Sequence, residues 1–391
     1  MQISNKMHIL SGKLGLHTQN LYKTINLSTM KQIKIAWYGI LLCLILSSQF
    51  FGQGIDSMAA HFIDVGQGQA ILLEFPKGAV LIDAGGVADR KGNLVIYLGK
   101  FFARRTDLNR TLSTVFIAHQ HVDHDEALQD VANSFTILNY VDNGQHIATN
   151  SGKEQIWMEQ NAPAKGVRYE AVTFDKVTAG HNRNGITDDI IDPFSGPDAP
   201  KITVYSGAFK TGELDATDMH NANDHSLVIK VSFGKASFQF SGDLEASAIA
   251  AVLKYYAGTP ALQADVLQVG HHGSANGITA EWANAVSPQY AVISCGQWNY
   301  GENTDGTAKS FTTYAYAHPN RKALTILENA IPGLRPLPLT EHVGITGSYP
   351  GHPTPVWGTA TITHNIYATA WNGNISIKAS TDGVYTVATD K

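Results

Sequence analysis

The stretch Phe116-Ile117-Ala118-His119-Gln120-His121-Val122-Asp123-His124-Asp125-Glu126 decides how the rest of the chain is read. The apolar run Thr114 to Ala118 predicts a buried strand, and it empties into three histidines and two aspartates within seven residues. Imidazole and carboxylate suit zinc and its borderline neighbours. The spacing is not the i, i+4 pair that a helix offers in an HExxH site. His119 and His121 alternate on an extended or turning backbone, so both can face one point. Asp123 and His124 lie past the turn and can face a second point. Two-metal hydrolytic sites hold their ions ~3.5–4 Å apart, so one loop could serve both. The alternative is a polar loop after a strand. With 16 histidines in 391 residues, H-x-H-x-D-H should arise by chance about once or twice per thousand such chains, so the metal reading is preferred.

Ahead of this stretch, residues 1–29 are polar, lack acids and carry no periodic pattern. Met30 then opens Lys31, Lys34, an apolar core from Ile35 to Leu46 and the polar exit Ser47-Ser48-Gln49, the pattern of a secretory signal peptide. Residues 1–53 are therefore expected to be an N-terminal extension and signal peptide, with Met30 the true start and the protein secreted or periplasmic. An uncleaved anchor is the lesser reading, because a span needs about 20 apolar residues. Cys43 follows Leu42 rather than a small residue, which argues against lipidation. Removing 1–53 takes away five lysines and no acids, leaving 23 basic and 33 acidic residues, net −10. Such a surface is a poor partner for long nucleic acid, whose binding leans on phosphate neutralisation by Lys and Arg. Cys295 would then be the sole cysteine, so no internal disulfide can form. A chain of this size buries enough apolar surface without one.

The mature portion opens with three short strands joined by glycine turns, over His61–Phe75 and Val80–Gly86. Asp64 and Asp83 each end an apolar run beside glycine and read as turn-capping acids rather than metal ligands. Helical spacing follows at Asn93–Arg105, Glu126–Ala132 and Gly152–Gln160, with strands at Asn139–Val141 and Arg168–Phe174. Asp175 to Pro200 is rich in Asp, Gly, Asn and Pro and reads as a surface loop. A second informative block is Asn221-Ala222-Asn223-Asp224-His225-Ser226, leading into a strand, with a second strand ending in Gly242-Asp243. His225 precedes the first strand and Asp243 ends the second, positions that a hairpin is expected to set near opposite ends. The spacing thus leaves their convergence open. In the third block, Val266-Leu267-Gln268-Val269-Gly270-His271-His272-Gly273, a buried strand again empties into histidines. Helices are expected at Glu245–Tyr256 and Thr279–Val286. Residues 58–391 are expected to form a single domain with loop insertions near 175–200 and 332–357.

Together these blocks resemble the metallo-β-lactamase superfamily, and more narrowly the hydrolase domain of ComEC-type DNA-uptake proteins and their free-standing relatives. His119-x-His121-x-Asp123-His124 matches the signature motif, Asp243 the bridging acid and His271 the closing histidine. The narrower likeness rests on Asp64-Val65-Gly66-Gln67-Gly68, Leu81-Ile82-Asp83-Ala84-Gly85, Ser226-Leu227-Val228 and His271-His272-Gly273-Ser274, with a weaker echo in Tyr316-Ala317-His318-Pro319. It departs from the subfamily at Gln69, at Asp125-Glu126-Ala127, and at His225, where many members carry Asn.

The resemblance implies an α/β fold, a four-layer αββα sandwich of two mixed sheets. It implies two divalent metal ions, zinc foremost and manganese or iron also admitted. His119, His121 and His225 would hold one, Asp123, His124 and His271 the other, with Asp243 bridging. Asp123 would also orient a metal-bound hydroxide. His272 would either support the ligands or replace His271, and His318 would support the site or touch substrate. The function implied is an exported dinuclear hydrolase of a phosphodiester or other small anionic phosphoryl ester, with no membrane channel in the chain. The alternatives are a carboxylic ester, lactone or β-lactam hydrolase on the same site, or a non-catalytic metal-binding module.

Overall fold

The computed structural model describes residues 57–86, 90–146 and 152–391. The expected signal peptide lies outside the described residues. Two mixed sheets carry the architecture. Across the first, eight strands run in the spatial order Tyr385–Thr389, Ile375–Ser380, Ser57–Phe62, Ala70–Phe75, Gly78–Ala84, Thr114–Phe116, Asn139–Asp142, Arg168–Ala171. The pairs up to Gly78–Ala84 are antiparallel, and those beyond it are parallel. Across the second, six strands run Ile366–Ala368, Tyr290–Ile293, Val266–Gln268, Ala236–Phe240, Val228–Phe233, Lys201–Ser206. Its first three neighbour pairs are parallel and the last two antiparallel.

Period-two alternation explains why the sheets stack. Ile71, Leu73 and Phe75 point one way, into a core shared with Ile229, Val231, Phe233 and Phe238 of the second sheet. Ala70 and Leu72 point the other way, onto Leu94, Leu98, Phe101 and Phe102 of the helix Lys91–Arg104 and Leu128 and Val131 of Leu128–Ser134. The outer face of the second sheet is covered by Ile249 and Val252 of Ala246–Tyr256, Trp282 of Ala280–Val286, and Leu324 and Leu327 of Arg321–Ala330. Helix, sheet, sheet, helix is the four-layer order expected. The strands Ser57–Phe62, Ala70–Phe75 and Gly78–Ala84 are buried on both faces, and the last two read as near-continuous apolar runs.

The insertions differ from expectation. In 175–200, Ile191 is fully buried and Phe194 packs edge-on against Phe75, so this loop closes the edge of the core. The stretch near 332–357 is not a loop. Leu334–Thr346 and Val356–His364 pair antiparallel, with Leu339 opposite Ile362 and Val343 opposite Gly358. Pro336 and Pro338 fall where the register shifts between Leu334 and Leu339, and Leu334, Leu337 and Val356 are exposed. Proline and exposed apolar residues erase the alternation by which a strand is recognised.

Candidate metal centre

The site forms where strands of both sheets end. After Thr114–Phe116 the chain leaves the sheet, and the Ala118 amide donates to Asp83 Oδ1 at 2.7 Å. His121, in extended conformation, precedes the single helical turn Val122–Asp125, whose first closing bond runs from His124 N to His121 O. That turn separates His119 and His121 from Asp123 and His124.

Two histidines are presented in the same way. His124 Nδ1 lies 2.7 Å from Asp83 Oδ2, which also accepts from Gln69 Nε2 at 2.8 Å; His124 Nε2 is thereby directed to Asp243 Oδ1 at 3.1 Å. His272 Nδ1 donates to the Ser294 carbonyl at 2.6 Å, and its Nε2 faces Asp123 Oδ2 at 3.1 Å and Asp243 Oδ2 at 3.3 Å. Tying back one imidazole nitrogen fixes the tautomer and offers the other as a ligand. Ligand atoms of Asp123, His124, Asp243 and His272 all lie within 4.8 Å of one another. Beside them, His119 Nε2 stands 3.0 Å from His121 Nδ1 and 4.0 Å from Asp243 Oδ2.

The structure thus brings together His119, His121, Asp123, His124, Asp243 and His272, and corrects the expectation at two positions. His225 is fully buried, but its Nδ1 accepts from Phe209 N at 3.0 Å and its Nε2 donates to Met219 O at 3.1 Å. The 3-10 turn Ala222–His225 aims the ring into the loop at 209–219. The expectation about the hairpin was also mistaken, since the start of one antiparallel strand and the end of its partner share one end. With Ile229 opposite Phe240, counting three residues on along each chain sets Ser226 opposite Asp243. Ser226 Oγ accordingly accepts from Asp243 N at 3.0 Å and lies 3.3 Å from His119 Nδ1.

His271 is the second correction. It stays at the rim, its Nδ1 3.0 Å from Glu245 Oε1, while His272 enters the cluster. His271 and His272 both have positive φ, 49° and 52°. Such a turn does not continue the strand's direction, so order of exit from Val266–Gln268 does not decide which ring turns inward. Asp83 and Ser226 were not expected to serve the site. An acid ending a buried strand beside glycine was the available signal for Asp83, and strand register the signal for Ser226.

The cluster is short of positive charge. Burial would lower the His124 pKa, yet the carboxylates of Asp243 and Asp83 hold it well above the ordinary value. Burial likewise opposes protonation of His272, but Asp243 and Asp123 push it up to about 10. Asp243, which burial alone would raise, is held well below the usual carboxylate range by His124 and His272. For His119, burial and then His124 and His121 push the pKa well down. Buried His124 Nε2 and Asp243 Oδ1 face each other without a hydrogen-bond partner. Ligands on a tetrahedral cation at ~2.0–2.1 Å stand roughly 3.3–3.4 Å apart, close to the 3.1–3.3 Å separations found here. The donor set therefore fits a divalent cation.

Compared with known proteins, residues 63–297 match the sequence profile of the metallo-beta-lactamase superfamily, a span that holds all six clustered residues. The chain belongs to the metallo-beta-lactamase superfamily. Among curated relatives, it is 32% identical over 114 residues, 29% of its length, to ComE operon protein 3 of Bacillus subtilis. It is 25% identical over 237 residues, 60% of its length, to competence protein ComA of Neisseria gonorrhoeae. It is 43% identical over 77 residues, 20% of its length, to recombination protein 2 of Haemophilus influenzae. These matches cover only 12%, 27% and 9% of the relatives. The superfamily match ends before the Leu334–His364 hairpin and before His318. Among the described residues, no helix is long and apolar enough to cross a membrane.

Proposed function

We propose that this chain is an exported, metal-dependent hydrolase of a small phosphoryl ester, a phosphodiester being the favoured substrate class. One observation carries the reading: His124 and His272 are each tied back at Nδ1 and turn Nε2 onto the carboxylates of Asp243 and Asp123 in a buried cluster. Asp123, His124, Asp243 and His272 would hold one cation, and His119 and His121, sharing Asp243, a second. Bound there, divalent cations supply Lewis acidity toward an ester oxygen and acidify water to near neutral pH. The chain's own groups do the remaining work. Asp83 and Ser294 fix which nitrogen each imidazole offers, and Ser226 holds the Asp243 backbone. Asp123, whose side chain is 22% exposed against 3% for Asp243, is the more open carboxylate, which supports it as the one that would orient attacking water.

Phosphoryl ester is favoured over β-lactam by likeness to the competence proteins, and small over polymeric by charge. Export rests on the Lys31/Lys34 and apolar-core pattern, whose removal would leave net −10. Long DNA should be a poor substrate, and its cleavage should rise with salt as repulsion is screened over ~8–10 Å. A basic nuclease shows the opposite trend. The deciding assay loads the protein with zinc, manganese or iron, measures bound metal, and compares turnover of bis-p-nitrophenyl phosphate with that of nitrocefin. Faster nitrocefin cleavage would move the substrate class to amides, and bound metal with no turnover of either would favour a binding module.

A further inference from the structure

Beyond the superfamily match, one side chain at the metal centre has no structural task to explain it. His318 is 6% exposed, and its Nδ1 is buried without a hydrogen-bond partner. Its ring lies 5.3 Å from that of His271 and 6.3 Å from that of His272, nearly parallel to the latter at 25°. Tyr316, 39% exposed, also stacks on it at 5.5 Å and 20°. His318 thus has the rings of His271, His272 and Tyr316 as neighbours, two at the metal cluster and one reaching the surface.

The position is built. Asn320 N donates to Gly273 O at 2.8 Å, joining the His318 segment to the turn that carries His272. Gly273, at φ +74°, allows this approach, since a Cβ there would meet Pro319 Cβ at 2.9 Å. From behind, Gly344 of the Leu334–Thr346 strand donates its N–H to Pro319 O at 2.9 Å, and a Cβ at Gly344 would collide with the Ala317 carbonyl. The hairpin thus backs the segment and fixes His318 before any ligand arrives, the preorganisation that substrate contacts need.

The unpartnered Nδ1 indicates which nitrogen is used. A neutral imidazole has one N–H and one lone pair, and a buried lone pair left unmet is less costly than a buried N–H. That places the proton on Nε2, where the ring's remaining hydrogen-bonding capacity lies. We propose that His318 is a substrate-contacting residue, its Nε2–H donating to an oxygen of the ester, or of product phosphate, bound against Asp123, Asp243 and His272. This rests on the hydrolase reading above.

The test compares wild type with His318→Ala, His318→Gln and His318→Asn, each loaded with metal. Glutamine can set its amide near the place of Nε2, whereas asparagine reproduces only Nδ1. His318→Ala should lose roughly 10²-fold in kcat/KM for bis-p-nitrophenyl phosphate, the scale of one lost oxyanion donor. It should also bind inorganic phosphate at least tenfold more weakly by calorimetry, with bound metal and melting temperature unchanged. His318→Gln should recover most of both, and His318→Asn neither. Alanine within twofold of wild type on both readouts overturns the contact. So does loss of metal in that variant, or rescue by asparagine alone. If wild type turns over no ester, the hydrolase reading fails and phosphate binding decides: loss in His318→Ala keeps the contact, equal binding ends it. A wild type that neither binds phosphate nor turns over ester ends both.

Discussion

At the scale of single residues, neighbouring histidines part company through their hydrogen bonds. His272 has a backbone carbonyl behind it and two carboxylates ahead, whereas the adjacent His271 is paired with Glu245 at the rim. Replacing His272 or Asp243 by alanine should therefore remove bound metal, while His271→Ala retains it. His225→Ala should also retain metal but melt earlier, because it orphans the buried Phe209 amide and Met219 carbonyl, a loss of about 1–3 kcal/mol. Elemental analysis after dialysis, with urea melts, separates the four variants; metal loss in His225→Ala would restore it to the ligand set. The His119–Asp125 loop was legible because its residue types and spacing are local. The choices of His272 over His271 and Ser226 over His225 were not. Both depend on turn dihedrals and strand register, which residue identity does not encode.

Among the elements, the helix Lys91–Arg104 shows what binds an outer layer to the sandwich. Its Arg104, and Arg105 just beyond, converge on Glu74 of the strand Ala70–Phe75, with His61 of the neighbouring strand 3.2 Å away. Burial would raise the Glu74 carboxyl, but the hydrogen bonds from His61, Arg104 and Arg105 outweigh it and bring it down from 4.5 to about 2. Because the folded value lies below the unfolded one, its contribution is present above pH 4.5 and is lost as pH falls toward 2. Glu74→Gln should be less stable by about 3 kcal/mol at pH 7 and converge with wild type near pH 2, as urea unfolding across pH would show. A constant difference across that range would assign the loss to packing. Here too sequence spoke unevenly. Amphipathic spacing announced the helix at Asn93–Arg105, but nothing local paired it with Glu74, and the Leu334–His364 hairpin was hidden by its prolines and exposed face.

At the scale of the fold, three apolar cores surround the sheets among the described residues, and none of these is built on the metal cluster. The ligands come from segments far apart in sequence, so the unfolded chain offers no equivalent site. A cation that binds only the folded state adds about 2.7 kcal/mol at a hundred times its dissociation constant. Chelation should therefore lower the melting temperature by a few degrees and leave the far-ultraviolet dichroism of the folded chain intact. Collapse of the fold on chelation would instead make the metal structural.

The strand order of the first sheet also has a consequence for self-association. Tyr385–Thr389 is the strand at one edge, mostly exposed, and it pairs along Ile375–Ala379, of which Ile375, Ile377 and Ala379 are buried. It thus shields a ladder of backbone amides and an apolar strand from other molecules. A chain cut after Gly383 would keep every clustered histidine and aspartate, yet it would present that strand as a free template. Light scattering should report concentration-dependent aggregation of the shortened protein, with thioflavin fluorescence marking a β-sheet origin.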